Sequence, residues 1–437
     1  MNATENKLKK LLQSKFFRNF LIYLSGALFL KGVGFFLLPF YTRILMPDQY
    51  GQLALLNTFI GVSSSILFFG LPPAVTIFYY KVEKDQRVET IINIIFLYLI
   101  LSLPFIILML FNVESLNQYI FGGEISGHLI ILAVIITFFS FFPVVYYNVL
   151  KMEERALKRT ILQVIIGLFI FASNMYLVYY LRVGIIGILV TNLAASIIIL
   201  SIGSGEYLHK FKKIKISLNI SKIKDFLKVG VPIVPGALAM WALTFADRWI
   251  LMKYISYSDV GIYSVAYSFG MLWEGLILIP FAAVYTPRLF RAYKNDLIGT
   301  EKKNMRFLKY YFLFSLIIFI VANGVLYIVF PILIGEKYHA AYPLIWIIIV
   351  GYIFYGAFSL VNHFSYILKK TYYATICVFI AVGINIGLNL IFIPVYGIIA
   401  AAYTTMFSFF VMFIIGFILR TRLYRRSLVR IKNSGIT

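Results

Sequence analysis

The chain has 437 residues, 61% of them hydrophobic and only 13% charged, with a mean hydropathy of +0.90. A water-soluble fold of that composition would be coated in exposed apolar surface, so bilayer hydrocarbon is the solvent it fits. The net charge of +23, from 40 Lys and Arg against 17 Asp and Glu, does not describe a nucleic-acid face, because the basic residues crowd into short segments between apolar runs.

A basic stretch (Lys7, Lys9, Lys10, Lys15, Arg18) leads into an apolar run reaching Tyr41. That run is too long for a signal-peptide core and lacks an Ala-x-Ala cleavage pattern, so it is expected to remain as the first helix. Apolar stretches of about 20 residues then predict helices near 18–42, 53–79, 90–111, 128–150, 160–181, 184–203, 227–252, 262–286, 307–331, 341–367, 373–393 and 397–419. The expected fold is all-α and membrane-embedded, with about twelve transmembrane helices in two parallel-repeat lobes of six. Assigning the basic residues to alternate sides leaves only Arg43, Arg182, Arg248, Lys253 and Lys337 opposite the rest, with Lys31 inside the first helix. The positive-inside rule therefore puts both termini in the cytoplasm.

The longest basic connection, Ser204 to Lys228, carries Lys210, Lys212, Lys213, Lys215, Lys222, Lys224 and Lys228. It divides the chain into an N-terminal six-helix lobe at 1–205, a linker at 206–226 and a C-terminal lobe with a basic tail at 227–437. Its charge reads as a topology determinant ahead of a lipid-binding patch. A weak internal repeat fits two related lobes. Arg43-Ile-Leu-Met and Asp48-Gln-Tyr-Gly51 follow the first helix, whereas Arg248-Trp-Ile-Leu-Met and Asp259-Val-Gly261-Ile-Tyr263 follow the seventh. The sixth helix opens Gly184-Ile-Ile-Gly and the twelfth Gly397-Ile-Ile-Ala.

Charges at bilayer depth point to function, since each costs about 2.5–3.5 kcal/mol at a helix centre unless it faces protein or water. Lys31 and Glu274 are the two such residues. Regular helical phase puts Glu274 on one face with Tyr263, Tyr267, Gly270, Phe281 and Tyr285, a wall suited to sugar hydroxyls and sugar rings. A Lys31–Glu274 ion pair that locks the lobes is the competing reading, and both stay open. Asp247 and Arg248 are adjacent and point about 100° apart, so separate partners are expected for them. Snorkelling of Arg248 to the interface outweighs a gate or inter-lobe role, and Arg43 is weighted alike. Pro232 and Pro235, followed by Gly236, make the seventh helix the hinge candidate.

The remaining chemistry is sparse. Cys377 is the single cysteine, and His128, His209, His339 and His363 are scattered, so neither a disulfide nor a metal site is expected. There is no Walker loop, no Gly-x-Ser-x-Gly elbow and no catalytic pair of carboxylates, so no enzymatic activity or cofactor is expected. Coupling to Na+ or H+ through Glu274 is compatible with the sequence and not specified by it.

The run Leu30-Lys-Gly-Val-Gly-Phe-Phe-Leu-Leu-Pro-Phe-Tyr-Thr-Arg-Ile-Leu with Asp48-Gln-Tyr-Gly51, and later Gly230-Val-Pro-Ile-Val-Pro, Asp247-Arg248 and Asp259-Val-Gly-Ile-Tyr, resembles the Wzx-type polysaccharide flippases. These belong to the multidrug/oligosaccharidyl-lipid/polysaccharide exporter superfamily. The resemblance implies two six-helix lobes around a central, often cationic cavity in the bacterial inner membrane. It implies transport of undecaprenyl-diphosphate-linked oligosaccharide from the cytoplasmic to the periplasmic leaflet, for O-antigen (lipopolysaccharide) or capsule biosynthesis. Membrane lipids, a polysaccharide polymerase and a chain-length regulator are the implied partners, and nucleic acid is not. Lys31 would supply positive charge for the diphosphate, whereas Glu274 departs from a purely cationic cavity. Two alternatives remain, an ion-coupled multidrug antiporter of the same superfamily and a membrane-embedded glycan polymerase or ligase. The second ranks last because the longest predicted outer loop, Asn112 to Gly127, is short and holds only Glu114 and Glu124 as charged groups.

Overall fold

In hydrocarbon no water is present to satisfy peptide groups, so each spanning segment must bond its own backbone, and helix is the form that does so. The computed structural model describes residues 15–83, 86–211 and 220–433, and every element among them is helical. Lys7, Lys9, Lys10, Lys212, Lys213 and Lys215 lie outside the described residues, as do the side chains of Lys15, Arg18, Lys31 and Lys210.

The chain forms two units, Met1–Ile44 with Leu55–Leu238, and Leu45–Ala54 with Ala239–Thr437. The first holds α1 (Lys15–Ile44), most of α2 (Pro47–Leu67), α3 (Leu71–Phe78), α4 (Arg87–Phe111), α5 (Val113–Phe121), α6 (Gly127–Phe139), α7 (Phe141–Met152), α8 (Ala156–Asn174), α9 (Ile185–Phe211) and α10 (Ile220–Gly230). The second takes most of α11 (Val234–Phe245), then α12 (Asp247–Tyr254), α13 (Tyr257–Trp273), α14 (Ile279–Asn295), α15 (Leu297–Leu333), α16 (Tyr342–Ile367) and α17 (Tyr372–Asn433).

Nine helices among the described residues are long and apolar enough to cross a membrane, and the pair α2 and α3, bent by 49°, makes a tenth. α1 adds another. α17 counts twice, because Gly397 at φ 61 and ψ −139 breaks it into two arms. Among the described residues the helices thus accommodate the expected twelve passes. The loop after the third pass is not plain coil: α5 fills it, with Tyr119 87% exposed.

The boundary between the units lies elsewhere than the expected linker. Glu206 and Tyr207, read as linker, are tied into the first unit by hydrogen bonds to Tyr146 and Glu153. α10 packs on α3, with the Phe226 ring edge-on to Phe78 at 5.0 Å, and Lys222 Nζ sits 3.1 Å from Glu89 Oε1. Phe226 joins a core with Leu71, Tyr98 and Phe141, where Tyr98 stacks on Phe141 at 3.7 Å between centroids. The α2–α3 bend rests on this segment. A Cβ on Gly70, whose φ is +66, would lie 2.0 Å from the Gly230 carbonyl oxygen.

In the second unit the start of α2 crosses α13 backbone to backbone. A Cβ on Gly51 would lie 1.9 Å from Tyr257 O and 3.1 Å from Gly261 N, and a Cβ on Gly261 would lie 2.0 Å from Pro47 O and 3.1 Å from Gly51 N. The contact is reciprocal, each glycine meeting the residue four before the other. These are the two glycines matched by the sequence repeat. Tyr338 closes the same corner by donating its hydroxyl to Leu45 O at 3.2 Å.

Because the atoms facing each Cβ are peptide atoms, Gly51→Ala and Gly261→Ala should each destabilise the protein by about 3 kcal/mol. Gly383→Ala, with nothing within 4 Å, should be close to neutral. Thermal unfolding of the purified variants in detergent checks the contrast.

Candidate functional site

Polar side chains in the apolar interior of the second unit gather at three places. The first forms at a helix joint. α11 ends at Phe245 and α12 begins at Asp247, so the Asp247 carboxylate stands at a helix N-terminus, where the dipole favours negative charge. Asp247 is 1% exposed and Arg248 4%. Contrary to the expectation of separate partners, Arg248 Nη1 lies 3.2 Å from Asp247 Oδ1 and also donates to Thr244 O at 3.0 Å. The Cβ directions of neighbours do diverge, but the joint at Ala246 and the length of the arginine stem let the guanidinium fold back. Snorkelling to an interface is corrected with it: the guanidinium carbon is held 4.6 Å from the Tyr267 ring centroid and 4.9 Å from that of Phe245. Arg43, its partner in the repeat, is exposed at the end of α1.

Tyr263 donates its hydroxyl to Asp247 Oδ2, and Thr405 Oγ1 lies 3.5 Å from the same oxygen. From there a buried ladder runs between the two arms of α17. Asn385 Nδ2 is 3.4 Å from Thr405 Oγ1, Asn389 Nδ2 is 3.1 Å from Asn385 Oδ1, and Thr404 donates to Asn389 Oδ1. The asparagines lie four residues apart, which places them on one helix face.

The second cluster lies towards the basic end of the unit. Glu301, fully buried, pairs with Arg420 Nε and accepts a hydrogen bond from Tyr293. Asn304 Nδ2 reaches Glu301 Oε2 at 3.4 Å and Leu360 O at 3.2 Å, and Tyr285 donates to Asn304 Oδ1 at 2.8 Å. Sequence reasoning missed this cluster because Glu301 sits among Lys302, Lys303 and Arg306 and read as loop, and Arg420 read as the start of the tail. The signal available was a lone acid within a basic run.

Between these clusters lies Glu274. A π-helical turn, Glu274–Leu278, separates α13 from α14. The added residue shifts everything beyond it by about 100° relative to a continuous α-helix, which breaks the single face expected from regular phase. Of the five residues expected beside Glu274, Phe281 and Tyr285 follow the turn and are rephased by it, whereas Tyr263, Tyr267 and Gly270 precede it and are held by partners on other elements. Tyr263 and Tyr267 go to the Asp247–Arg248 pair and Tyr285 to Asn304, and Gly270 packs against Ile348 and Tyr352. Only Phe281 remains, in a pocket of about 120 Å³ that Glu274 shares with Tyr311, Tyr355, Ser359 and His363. Gly356 keeps the pocket open, since a Cβ there would lie 2.2 Å from the Tyr311 hydroxyl. His363, set aside in the sequence as one of four scattered histidines, holds Thr286 Oγ1 at 2.9 Å through Nε2. Tyr311 donates to Ile353 O at 2.9 Å. Glu274 itself is half-buried and has no hydrogen-bond or ion-pair partner among the described residues.

In the first unit, Glu206 at the end of α9 accepts from Tyr146 at 2.6 Å, Lys158 at 2.6 Å and Arg155. This cluster ties α7, α8 and α9 together. Pro232 lies within a 3-10 turn, Val231–Ile233, and Pro235 and Gly236 open α11 after it. Lys31 lies in α1, but its side chain, and with it any pairing to Glu274, is outside the described residues.

Among the described residues no three His, Cys, Asp or Glu side chains come together as a metal site. Taken on geometry alone, the two ion-paired clusters hold helices in register, and the Glu274 pocket has polar groups left for a ligand.

Comparison with known proteins adds the following. Residues 16–293 match the model of a family described as polysaccharide biosynthesis protein. An uncharacterized membrane protein of Methanocaldococcus jannaschii is 28% identical over 218 residues, covering 47% of this chain and 41% of that protein. The match thus spans about two fifths of that relative's length. Among solved structures, the inward-facing form of a multidrug resistance MATE family transporter of the MOP superfamily aligns with a TM-score of 0.72 and 17% identity, over 93% of this chain and 98% of its own. The lipid II flippase MurJ, in its inward closed conformation, aligns at 0.70 and 16% identity, over 98% and 93%. At such identities the likeness is one of fold.

Truncating one member of the Glu301–Arg420 pair, by Glu301→Gln or Arg420→Met, should destabilise the protein by about 3–5 kcal/mol, and Glu301→Leu combined with Arg420→Met should recover much of that loss. Glu274→Gln should stay within about 0.5 kcal/mol of the parent, because no partner is lost. A set of thermal-unfolding midpoints in one detergent separates the two cases.

Proposed function

Since the chain belongs to the polysaccharide biosynthesis protein family, we propose that it is a flippase carrying undecaprenyl-diphosphate-linked oligosaccharide repeat units from the cytoplasmic to the periplasmic leaflet of a bacterial inner membrane. The observation that carries this reading is the family match across 16–293, and the fold shared with a lipid II flippase supports it. The cargo serves surface polysaccharide, O-antigen or capsule, and passes to a polymerase and its chain-length regulator. Both termini lie in the cytoplasm, as the basic loops favour.

The mechanism is alternating access. Lys31, at mid-depth in α1, attracts the diphosphate, and the Glu274 pocket receives sugar. Tyr263 and Tyr267 act indirectly, by holding Asp247 and Arg248. That pair serves as an internal clamp of the second unit, and the 3-10 turn at Pro232 is the hinge. No chemical bond of the cargo is made or broken, so the work is one of desolvation and release. A diphosphate and a glycan must leave water on one face and regain it on the other, and polar groups along the route lower that cost.

The second reading, a multidrug antiporter, is favoured by the fold shared with a MATE transporter. It predicts efflux of cationic dyes that depends on Glu274.

Deleting the gene in its host should trap complete undecaprenyl-linked repeat units on the cytoplasmic face, as measured by leaflet-selective labelling, with loss of surface polysaccharide. Complementation with Glu274→Gln or Lys31→Ala at normal protein level should restore export at about a tenth of the parent rate or less, the effect of one lost charge-assisted contact. Normal export from both variants would discard these two residues as site residues, and normal polysaccharide in the deletion strain, with no redundant transporter, would discard the flippase reading.

A further inference from the structure

Glu274 is the exception among the interior charges of the second unit. Asp247 and Arg248 neutralise each other, as do Glu301 and Arg420. Among the described residues Glu274 has no such partner, and none of those that line its pocket is Lys or Arg. An ionised carboxylate in an apolar interior is tolerated where it meets water or a ligand that supplies hydrogen-bond donors. The other polar groups of the pocket sort into engaged and open. His363 and Tyr311 are committed to Thr286 and Ile353. Tyr355 and Ser359 have hydroxyls with no hydrogen-bond partner among the described residues, and both line the same space as the carboxylate.

The chemistry of that space is specific in sign. Its rings, Phe281, Tyr311 and Tyr355, present π-faces and edges on which the C–H face of a pyranose packs, and those faces also attract an ammonium group. The carboxylate accepts hydrogen bonds from two hydroxyls or from an ammonium, and at short range in a medium of low dielectric it repels a second carboxylate strongly. The volume of about 120 Å³ is several times what a single water occupies on the same measure, so the space admits more than solvent.

We propose that the Glu274 pocket is a subsite for one sugar of the lipid-linked glycan, and that Glu274 is a specificity-determining residue selecting a neutral or amino-bearing pyranose over a uronic acid. The assignment rests on the flippase reading. It divides the cargo in two: the diphosphate is handled where positive charge is available, and the sugar at Glu274 is kept free of negative charge. Rejection by an unpaired like charge is a discrimination that shape alone does not give.

The test uses the purified full-length protein and three synthetic probes, undecaprenyl diphosphate carrying a single glucose, glucosamine or glucuronic acid. Binding is read from the rise in thermal midpoint with probe concentration, and flipping from leaflet-selective labelling in proteoliposomes. The parent protein should bind the glucose and glucosamine probes about tenfold or more tighter than the glucuronate probe, and Glu274→Gln should compress that ratio to about twofold or less. Tyr355→Phe, which removes an open hydroxyl without altering charge, should weaken all three probes alike. Equal binding of the three by the parent, or a glucuronate penalty that survives Glu274→Gln, overturns the assignment. Ranked binding with no flipping of any probe keeps the subsite and removes the flippase reading, whereas flipping of all three without ranked binding does the reverse.

Discussion

Hydrocarbon offers no counter-ions, and the second unit is arranged around that fact. A charge placed there must be answered by another side chain, from the next position of the same helix or from a different helix. Asp247 and Arg248 do this at the joint between α11 and α12, and Tyr263 and Thr405 join them from α13 and α17. Glu301 and Arg420 do it between α15 and the last arm of α17. Each pair is worth little as an isolated attraction once desolvation is counted, yet each is costly to break, so Arg420 on Glu301, and Tyr263 and Thr405 on Asp247, act as register marks for helices that apolar packing alone would let slide. Glu274 stands out because, among the described residues, no side chain answers it while its neighbours obey this rule closely.

Much of the architecture was legible in the sequence, and the reason is physical. Twelve apolar stretches of bilayer length can be read residue by residue, and Gly397 and the bend near Gly70 fall where the helix pattern was weakest or longest. The ends of the units were not legible. Nothing in the composition of 220–238 says that Phe226 packs into the core of Leu71 and Tyr98, and a run of lysines reads as linker whether or not its apolar residues are buried.

The site was read in part. Glu274 stood out because a carboxylate in an apolar run is expensive wherever it points. Its neighbours were read on the assumption of unbroken helical phase; the π turn at Glu274–Leu278 rephases Tyr285 beyond it, and Tyr263 and Tyr267, which precede the turn, are drawn to the Asp247–Arg248 pair instead. A π turn has no composition signature, and the partners that hold Tyr263 and Tyr267 lie on other helices. Glu301 and His363 were missed for a different reason: each looked ordinary among its sequence neighbours, and burial, the property that makes them unusual, comes from segments far away in the chain.

The glycine crossing at Gly51 and Gly261 bears on how such a chain can diverge. In a homodimer, one substitution at a twofold contact arrives on both sides at once. With both halves in a single chain it arrives on one side only, and the sequence around each glycine is free to drift, as Tyr50 and Val260 already differ. The two glycines do not share that freedom, because each is limited by the peptide of the other at the same 3.1 Å. The crossing is therefore a place where the sequence repeat is held to glycine from both sides by backbone, whatever side chains surround it.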